Sequence, residues 1–452
     1  MKIIPNQTLT LNEIAKATGA DYTGPDAPLR AIVTDSREAD KDDLFVALSG
    51  DTHNGEDFVR DAAQSGAFIL SKEAKNAEIK VADTEGALLD IASYYKKKLR
   101  KLKYTIAITG SVGKTTTKNL ISEVLRNNFS VHSTYGNYNN YLGVSHTVLT
   151  AQNECEILVI ELGMNHIGEI SRLSKAISPD ISVITNVGTA HIGNLGNREA
   201  IARAKSEIKD GMKKPFIILP EEEALLKQVK GRYSFSVFGD SADCHLKNVL
   251  DDELGATFDV HTKSQIIRDV RINVPGNHIL SSVAITAAII DFMGLDLGLL
   301  KEALPKIKAE NVVRAKILKC GKYRIYDDTY SASYEATLAN LELLAKKEKN
   351  LCCVLGDMLE LGEKSKLLHE KVGAETVKYG IRKLFTFGKA ATDIAKGAQK
   401  AGMDTSCIFI NENVNDPRAT AEQIKKNCNG DELLLFKASH AIHAERILEH
   451  IN

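Results

Sequence analysis

A glycine-rich segment that leads into a lysine and a run of threonines is the strongest chemical signal in the sequence. It follows a β-branched run ending at Ile108 and consists of Thr109, Gly110, Ser111, Val112, Gly113, Lys114, Thr115 and Thr116. Glycines allow backbone N–H groups to surround a phosphate, and Lys114 can reach the β- and γ-phosphate oxygens of a nucleotide. Thr115 stands where the hydroxyl of a P-loop binds Mg²⁺. The segment is a variant P-loop, because Ile108 replaces the usual first glycine, and a plain glycine-rich turn is the alternative.

Three further side chains that could do chemistry occur later in the chain. Glu161 ends an apolar run, and a carboxylate at the end of a strand can hold the Mg²⁺ of bound ATP. His191 lies in the loop after another β-branched run, so it shares the carboxyl edge of the predicted sheet with Glu161 and Lys114. Lys205 falls in a helical stretch, where its residue type alone favours a lysine paired with an acid such as Glu207.

An alternation of β-branched runs and helical stretches positions these residues. The runs cover residues 105–108, 157–160, 181–185 and 216–219. This rhythm is typical of βαβ units, so we predict a mostly parallel sheet with the phosphate-binding segment between one strand and the following helix. Residues 235–275 are predicted to be locally antiparallel, with strands at 256–260 and 272–274.

A second α/β rhythm begins after a polar stretch at residues 306–310, which is a candidate linker. Its strand-like runs are residues 323–326, 351–355, 383–387, 407–410 and 433–436. With a helix expected after the last run, the pattern predicts a smaller nucleotide-fold-like domain.

The first 82 residues mix short helix and strand signals. A helix over residues 85–103 ends in the basic run 96–101, which we expect to be a solvated face.

Composition excludes several classes of protein without naming a function. The chain of 452 residues is 43% hydrophobic and 26% charged, as in a globular protein, and 58 basic and 59 acidic residues give a net charge of −1. That balance argues against broad binding to nucleic acid or to an anionic membrane. No apolar run reaches the roughly 18–20 residues that span a bilayer, and no signal peptide is recognisable, so we expect no membrane insertion. The 7 cysteines, without a Cys-x-x-Cys pair, indicate reduced thiols in a cytoplasmic protein.

Together these motifs resemble those of the Mur ligase family, the ATP-dependent amide-bond ligases of peptidoglycan precursor synthesis. The phosphate-binding segment, the Glu161 and His191 motifs and the Ala-Lys-x-x-Ile pattern around Lys205 stand in the family's order and spacing. Other segments are similar to one branch of the family, whose members add D-alanyl-D-alanine to UDP-N-acetylmuramoyl-tripeptide. They are residues 35–37, 44–48, 136–143, 161–165, 168–170 and 355–362.

The resemblance implies an α/β fold with three domains. Residues 1–82 would form a small α/β domain that binds the UDP end of the substrate. Residues 83–308 would form the central P-loop ATPase with a mostly parallel sheet, and residues 309–452 a Rossmann-like domain that closes over the site. Of these, the second and third also follow from the pattern of strands and helices, whereas the first rests on the resemblance.

The resemblance also implies roles for individual residues. Lys114 would contact the phosphates, Thr115 and Glu161 would hold one Mg²⁺, and His191 with an N-carbamylated Lys205 would hold a second. Lys114, His191 and Lys205 are then the candidate catalytic residues. Nucleotide contacts are expected from residues 109–116 and from Asn277, His278, Arg314 and Asp328. Substrate contacts are expected from Ser36, Arg37, Asn137, Asn139, Asn140, Tyr330, Lys437 and Ser439.

The chain departs from the family's pattern in its substrate-facing and closing segments. The departures are Ser282, Ser331, Ser333, Tyr334, His440 and the tripeptide Asn54-Gly55-Glu56. Ser282 stands where the family has an asparagine, at a position of expected adenine contact. His440 stands where an arginine is usual, and we expect Lys437 to supply the positive charge instead. Because the ATPase motifs are intact, these departures bear on the choice of amino substrate and not on ligase chemistry.

The expected function is therefore ATP-dependent amide-bond formation through an acyl phosphate, with ATP split to ADP and phosphate. Its partners would be two small molecules, UDP-muramoyl tripeptide and D-alanyl-D-alanine, bound by a cytoplasmic monomer that uses ATP and two Mg²⁺ ions. One alternative is a Mur-type ligase with a different donor or acceptor. The other is a nucleotide switch that binds partners, although a switch has no evident need for a second metal constellation such as His191 with Lys205.

Overall fold

The computed structural model describes residues 1–50, 53–75 and 77–451, and the side chains of Asn277 and His278 lie outside this description. Over these ranges the chain forms three β-sheets of five, nine and six strands, with helices packed on them. Most neighbouring strands are parallel, which confirms the predicted α/β class. In the described part of the chain, no helix combines the length and the apolar character that crossing a membrane requires.

The first sheet comes from the N-terminal residues and has the order β1-β2-β3-β4-β5. Its strands are β1 (Lys2–Ile3), β2 (Ile32–Val33), β3 (Leu44–Val46), β4 (Phe68–Ser71) and β5 (Ile79–Lys80). Helices α1 (Leu11–Thr18) and α2 (Val59–Gln64) contact it. Helix α1 begins where Thr10 and Glu13 cap each other's backbone N–H groups, and it ends at Gly19, whose φ of 69° stops the helix.

The central sheet has the order β14-β13-β12-β11-β10-β9-β6-β8-β7. Its strands are β6 (Tyr104–Thr109), β7 (Val131–Ser133), β8 (Ile157–Glu161), β9 (Ile181–Ile184), β10 (Ile217–Pro220), β11 (Arg232–Ser236), β12 (Cys244–Asp251), β13 (Ala256–His261) and β14 (Ile266–Ile272). The accompanying helices are α3 (Thr84–Lys98), α4 (Lys114–Leu125), α5 (Tyr141–Leu149), α6 (Glu169–Ile177), α7 (Ile192–Leu195), α8 (Arg198–Ser206), α9 (Asn277–Phe292), α10 (Gly298–Ala303) and α11 (Ala309–Val312). Strands β6 to β12 pair in parallel, and β12 to β14 are antiparallel as predicted for this segment.

The third sheet has the order β15-β16-β20-β17-β18-β19. Its strands are β15 (Lys316–Cys320), β16 (Tyr323–Asp328), β17 (Leu351–Gly356), β18 (Leu384–Phe387), β19 (Ile408–Asn411) and β20 (Leu433–Lys437). Helices α12 (Tyr334–Lys347), α13 (Ser365–Lys378), α14 (Thr392–Lys400) and α15 (Pro417–Asn427) lie between them in the sequence. Only the β15–β16 pair is antiparallel among the described strands of this sheet.

The core of the central region lies on both faces of its sheet. Ile106 and Ile108 of β6 are fully buried with side chains of α4 and α9, whereas Ala107 between them joins the apolar cluster of α3 and α5 on the other face. Such continuous apolar strands are expected in a parallel sheet that helices cover on both sides. Strand β6 lies between β8 and β9, where the chain reverses its direction along the sheet, and open α/β sheets bind ligands at the carboxyl ends of strands at such a point.

Several elements differ from the sequence predictions. Strands β7, β11, β12 and β15 were not predicted, and in β12 and β15 exposed and partly exposed residues interrupt the apolar pattern. Strand β14 covers residues 266–272, before most of the strand that was predicted at 272–274. After β20 the chain forms two 3₁₀ turns, residues 440–442 and 444–450, instead of the expected α-helix. His443 between them has a φ of 52°, which no α-helix contains.

We propose that the three sheets are three domains. The proposed boundaries, 82/83 and 308/309, fall between β5 and α3 and between α10 and α11.

Candidate active site

The phosphate-binding segment forms the turn between β6 and α4, as the sequence predicts. Gly110 has a φ of 153° and packs so closely that a Cβ atom would lie 1.8 Å from the hydroxyl oxygen of Thr185. Gly113 has a φ of 82° and directly precedes α4. Both positions therefore require glycine, the first for space and the second for its backbone conformation. The turn presents the free N–H groups at the start of a 12-residue helix, which favours a bound anion.

Residues that follow β9 hold this turn in shape. The backbone N–H groups of Ser111 and Val112 donate to the Oδ1 atom of Asn186 at 3.1 and 2.9 Å. The Thr185 hydroxyl donates to the carbonyl oxygen of Val112 at 2.6 Å, and the N–H of Gly188 donates to the Ser111 hydroxyl at 2.9 Å. The phosphate-binding turn is thus braced by a neighbouring strand end, a role that we did not predict for residues 185–188.

A buried carboxylate faces the turn. Glu161 at the end of β8 is 2% exposed. Its two oxygens accept hydrogen bonds from the Thr115 hydroxyl at 2.9 Å and from the Asn139 amide at 2.8 Å. Arg314, from the region of the third sheet, donates to the same Thr115 hydroxyl at 2.7 Å. A carboxylate and a hydroxyl at this spacing are the hard oxygen donors that Mg²⁺ prefers, so this donor set fits the predicted ion.

Lys114 and Lys205 are two lysines in electrostatic contact, the first partly exposed and the second buried. The Lys114 ammonium donates to the carbonyl oxygen of Gly110 at 2.8 Å, and burial lowers its pKa while Glu161 opposes that shift. Lys205 on α8 is 1% exposed. Within the described residues its ammonium has no hydrogen bond or ion pair. Burial, and then the charge of Lys114, hold the pKa of Lys205 well below its usual 10.5, which favours the neutral amine.

The simpler expectation for Lys205, an ion pair with Glu207, is wrong. The Glu207 carboxylate instead accepts the backbone N–H groups of Gly168 at 2.9 Å and Ser171 at 3.2 Å at the start of α6. A buried lysine without a counter-ion is costly when it is charged. The surroundings of Lys205 therefore fit a modified or neutral side chain better than an ammonium.

His191 lies where the sequence predicts, in the loop after β9, and it has a partner that the sequence did not reveal. Its φ is 64°, and its Nδ1 atom lies against the carboxylate of Glu360. That contact lowers the pKa of Glu360. Glu360 belongs to the segment 355–362, which carries part of the family resemblance, but no sequence signal pointed to His191 as its partner.

The third-sheet side contributes a cation, an aromatic ring and an internal ion pair. The Arg314 guanidinium lies 4.0 Å from the centre of the Tyr330 ring. The Lys437 ammonium is 2% exposed and forms an ion pair with Asp328, whose carboxylate also accepts from the Asn340 amide at 2.6 Å. Lys437 therefore does not supply a free positive charge in place of the usual arginine at position 440, since Asp328 neutralises it.

These groups surround one cavity of about 480 Å³ between the central and third sheets. Most of the predicted site residues line it: Ser111, Val112, Gly113, Lys114, Thr115, Thr116, Asn137, Asn139, Glu161, His191, Arg314, Asp328, Tyr330 and Lys437. Thr109 and Gly110 lie behind the turn, and Lys205 lies outside the lining. The departing residues Ser331 and Ser333 also line the cavity.

Four predicted substrate residues are not part of the cavity lining. Asn140 caps α5 by accepting the N–H of Gly143 at 3.0 Å. The Ser439 hydroxyl accepts the N–H of Leu359 at 2.9 Å. Ser36 and Arg37 belong to the first-sheet region, where Arg37 is 86% exposed and pairs with Asp35. Asn140 and Ser439 thus have structural roles.

Two departures from the family pattern have local explanations. The Ser282 hydroxyl is buried on α9, with its oxygen 2.9 Å from the hydroxyl oxygen of Thr117 on α4, so it ties two helices together. Ser333 caps α12 by accepting the N–H of Ala336 at 3.3 Å. Asn277 and His278 begin α9, but their side chains lie outside the described residues, so their expected base contacts stay predictions.

The sequence of this chain matches known families and proteins. The Mur ligase middle domain matches residues 108–290, and the Mur ligase, glutamate ligase domain matches residues 313–440. The UDP-N-acetylmuramoyl-tripeptide--D-alanyl-D-alanine ligase of Bacillus subtilis (strain 168) is 32% identical, and the match covers 99% of this chain and 98% of that relative. The chain therefore belongs to the Mur ligase family.

Solved structures agree over almost the whole chain. MurF from Acinetobacter baumannii has a TM-score of 0.87 at 27% identity, with 99% of both chains covered. MurF ligase from Thermotoga maritima, solved in complex with ADP, has a TM-score of 0.77 at 27% identity and covers 93% of this chain and 96% of its own. The three-domain architecture implied by the family resemblance is thus confirmed.

Proposed function

We propose that this chain is an ATP-dependent amide-bond ligase that adds D-alanyl-D-alanine to UDP-N-acetylmuramoyl-tripeptide in peptidoglycan precursor synthesis. The observation that carries the proposal is the single cavity in which the phosphate-binding turn and Glu161 face Arg314 of the opposite wall. Relatives matching nearly the full chain are named for this reaction. The complex of the Thermotoga maritima relative with ADP supports ATP as the nucleotide.

The chemistry starts from a carboxylate, which is a poor electrophile. In the first step the donor carboxylate oxygen bonds to the γ-phosphorus of ATP, the bond to the β-phosphate oxygen breaks, and ADP leaves. Lys114 and the N–H groups of the turn stabilise the charge that spreads over the γ-phosphoryl oxygens. The amine of D-alanyl-D-alanine then attacks the acyl carbon, and phosphate leaves as the amide forms. The Arg314–Tyr330 wall helps to exclude water, which would otherwise hydrolyse the acyl phosphate.

We propose that two Mg²⁺ ions bind at this site. We assign the Thr115 hydroxyl and the Glu161 carboxylate to one ion, and His191 with modified Lys205 to the other. When bound, Mg²⁺ neutralises the charge on the transferring phosphoryl group. The 2% exposure of Glu161 keeps its carboxylate away from bulk water, which strengthens its attraction for a cation.

Lys205 fits the second ion only after carbamylation. A neutral amine can attack CO₂: an N–C bond forms, the nitrogen loses a proton, and a carbamate with one negative charge and two oxygens results. The lowered pKa and the absence of a counter-ion among the described residues both support a neutral amine at this position. The carbamate would supply the oxygen ligands that Mg²⁺ prefers, whereas an ammonium would repel the ion.

The other assignments complete the proposal. The segment of the first domain with the half-buried Ser36 and the exposed Arg37 is proposed to bind the UDP end of the donor. Asn137 and Tyr330 line the cavity on its two sides and are proposed substrate contacts. We also propose that the protein is a cytoplasmic monomer and that its partners are the small molecules UDP-muramoyl tripeptide and D-alanyl-D-alanine, with no nucleic acid.

Substrate dependence of phosphate release tests this function against its two alternatives. With ATP and Mg²⁺, we expect rapid release only when UDP-N-acetylmuramoyl-tripeptide and D-alanyl-D-alanine are both present, with the amide product visible by mass spectrometry. Turnover that requires another peptide donor or another dipeptide would favour a Mur-type ligase of different specificity. Slow release that is indifferent to both substrates would favour a nucleotide switch.

A further inference from the structure

Glu360 of the third domain contacts the central domain through two groups, its side-chain carboxylate and its backbone carbonyl. Its carboxylate pairs with the Nδ1 atom of His191, and its backbone carbonyl accepts the N–H of Gly193 at 2.8 Å. The approach is close, because a Cβ atom on Gly193 would lie 2.6 Å from the backbone nitrogen of Gly362. The φ of Glu360 is 62°, a conformation that residues other than glycine rarely adopt. The chain thus places this carboxylate against His191 despite a backbone cost.

The segment that carries Glu360 is fixed within its own domain. The N–H of Leu359 donates to the Ser439 hydroxyl at 2.9 Å, and the N–H of Met358 donates to the Nε2 atom of His369 at 3.0 Å. These bonds begin one and two residues before Glu360. The carboxylate is therefore presented to the central domain by a braced segment, and its contact with His191 exists only where the two domains meet.

We propose that Glu360 is a positioning residue for His191, which completes the second metal site only when the third domain is docked. This inference rests on the proposed function, in which His191 is a metal ligand. A carboxylate that accepts the Nδ1–H of an imidazole fixes the ring's orientation and tautomer, and it leaves Nε2 with the lone pair that binds metal. Because the carboxylate comes from another domain, docking and metal binding are coupled through one side chain.

A second carboxylate at the same interface provides a matched comparison. Glu335 of α12 accepts the backbone N–H of Thr189 at 2.8 Å and its hydroxyl at 3.1 Å. It comes from the same domain and holds the same loop, two residues before His191, but it does not contact the imidazole. A variant of Glu335 therefore reports the loss of an interdomain contact to the same loop that leaves the imidazole untouched, and the exposed Glu363, three residues after Glu360, serves as a neutral control.

Titration with Mn²⁺ in the presence of a non-hydrolysable ATP analogue, followed by electron paramagnetic resonance, tests the proposal. In wild-type protein we expect two Mn²⁺ sites. Glu360→Ala should weaken the second by ~10–100-fold, the usual effect of losing a carboxylate partner of a metal-bound histidine. Glu360→Gln should restore part of this loss, because its amide oxygen can still accept the Nδ1–H. Glu363→Gln should bind Mn²⁺ as wild type does.

Three outcomes would overturn the proposal. The first is unchanged Mn²⁺ affinity in Glu360→Ala. The second is an equal loss in Glu335→Gln, which would make Glu360 a docking contact and nothing more. The third is a raised KM for D-alanyl-D-alanine with unchanged Mn²⁺ binding, which would assign Glu360 to the acceptor. Wild-type ligation, measured in the same preparations, separates these outcomes from failure of the proposed function.

Discussion

The two walls of the cavity are built differently, although they face one another. On the central wall, the Thr115 hydroxyl and the Asn139 amide donate hydrogen bonds of 2.9 and 2.8 Å to the Glu161 carboxylate. All three residues lie at or after the carboxyl ends of strands in one sheet. On the third-domain wall, the main ionic contact is internal, between Asp328 and Lys437. The central wall therefore fixes the Glu161 carboxylate beside Thr115, whereas on the opposite wall the Asp328 carboxylate neutralises the Lys437 ammonium.

A few long side chains of the third-domain wall make contacts with the central wall. Arg314 reaches Thr115 at 2.7 Å, Glu335 reaches Thr189 at 2.8 Å, and the Glu360 carboxylate meets His191. This division separates two kinds of effect. Changes on the central wall should abolish the chemical step, and changes on the third-domain wall should alter stability, docking or specificity.

Replacing Lys114 should have the largest effect. Its ammonium is the central wall's positive charge at the phosphate-binding turn, so Lys114→Ala should lose transition-state stabilisation on the order of several kcal/mol. Ligation is measured by phosphate release and product mass, and circular dichroism should show an intact fold. Near-wild-type ligation by a folded Lys114→Ala protein would remove the phosphate-binding assignment.

Replacing Lys205 tests the second metal site. Lys205→Ala should lose about two orders of magnitude in activity, and acetate or formate should restore part of it by occupying the vacated ligand position. Lys209→Ala, one turn further along and exposed, is the matched control and should keep wild-type activity. Full activity of Lys205→Ala, or loss without any rescue by small carboxylates, would contradict the carbamate role.

The pH dependence of carbamylation follows from the lowered pKa of Lys205. CO₂ reacts with the neutral amine, and the neutral fraction grows as pH rises through the pKa. Since the folded pKa lies well below 10.5, protein stripped of CO₂ should regain activity with bicarbonate at a pH where an ordinary lysine stays protonated. Reactivation that begins only near pH 10.5 would show that the folded environment does not favour the amine.

Breaking the internal pair of the third-domain wall should reduce stability. Lys437→Met leaves the Asp328 carboxylate, which is 17% exposed, without its counter-ion, and we expect a loss of ~3–5 kcal/mol in the free energy of unfolding. Urea denaturation measures it. A double variant that adds Asp328→Asn should recover part of the loss. An unchanged midpoint for Lys437→Met would mean that the pair contributes nothing.

The smallest effect is expected at His440. Its exposed ring lies 4.9 Å from the Tyr330 ring, on which Arg314 already places a positive charge. A further cation at an exposed position is screened by solvent, so His440→Arg should change kcat/KM by less than about tenfold. A much larger gain with D-alanyl-D-alanine would indicate that the chain has moved toward another acceptor.

The central wall could be predicted from the sequence because its geometry follows from parallel strands. The segments after β6, β8 and β9 must meet at one sheet edge, and this brings Lys114, Glu161 and His191 together. The third-domain wall could not be predicted in this way. Asp328 and Lys437 are 109 residues apart, and their pairing depends on the register that sets them opposite each other in β16 and β20.

The contacts between the third domain and the central domain could not be predicted from the sequence for a related reason. Glu360 and Glu335 meet the His191 loop only through the relative placement of two domains, which no local pattern encodes. Strands β12 and β15 were not predicted because polar residues interrupt their apolar pattern. Hydrogen bonds to β11 and β13 keep β12 in its sheet, and hydrogen bonds to β16 keep β15 in its own.

Isotope transfer from the donor to phosphate tests the central claim most directly. The reacting carboxylate of UDP-N-acetylmuramoyl-tripeptide is labelled with ¹⁸O, and the phosphate released during ligation to D-alanyl-D-alanine is analysed by mass spectrometry. Activation as an acyl phosphate predicts that each phosphate carries one oxygen from the donor, because the amine displaces phosphate by breaking the bond between the acyl carbon and that oxygen. Amide formation with unlabelled phosphate would contradict the account.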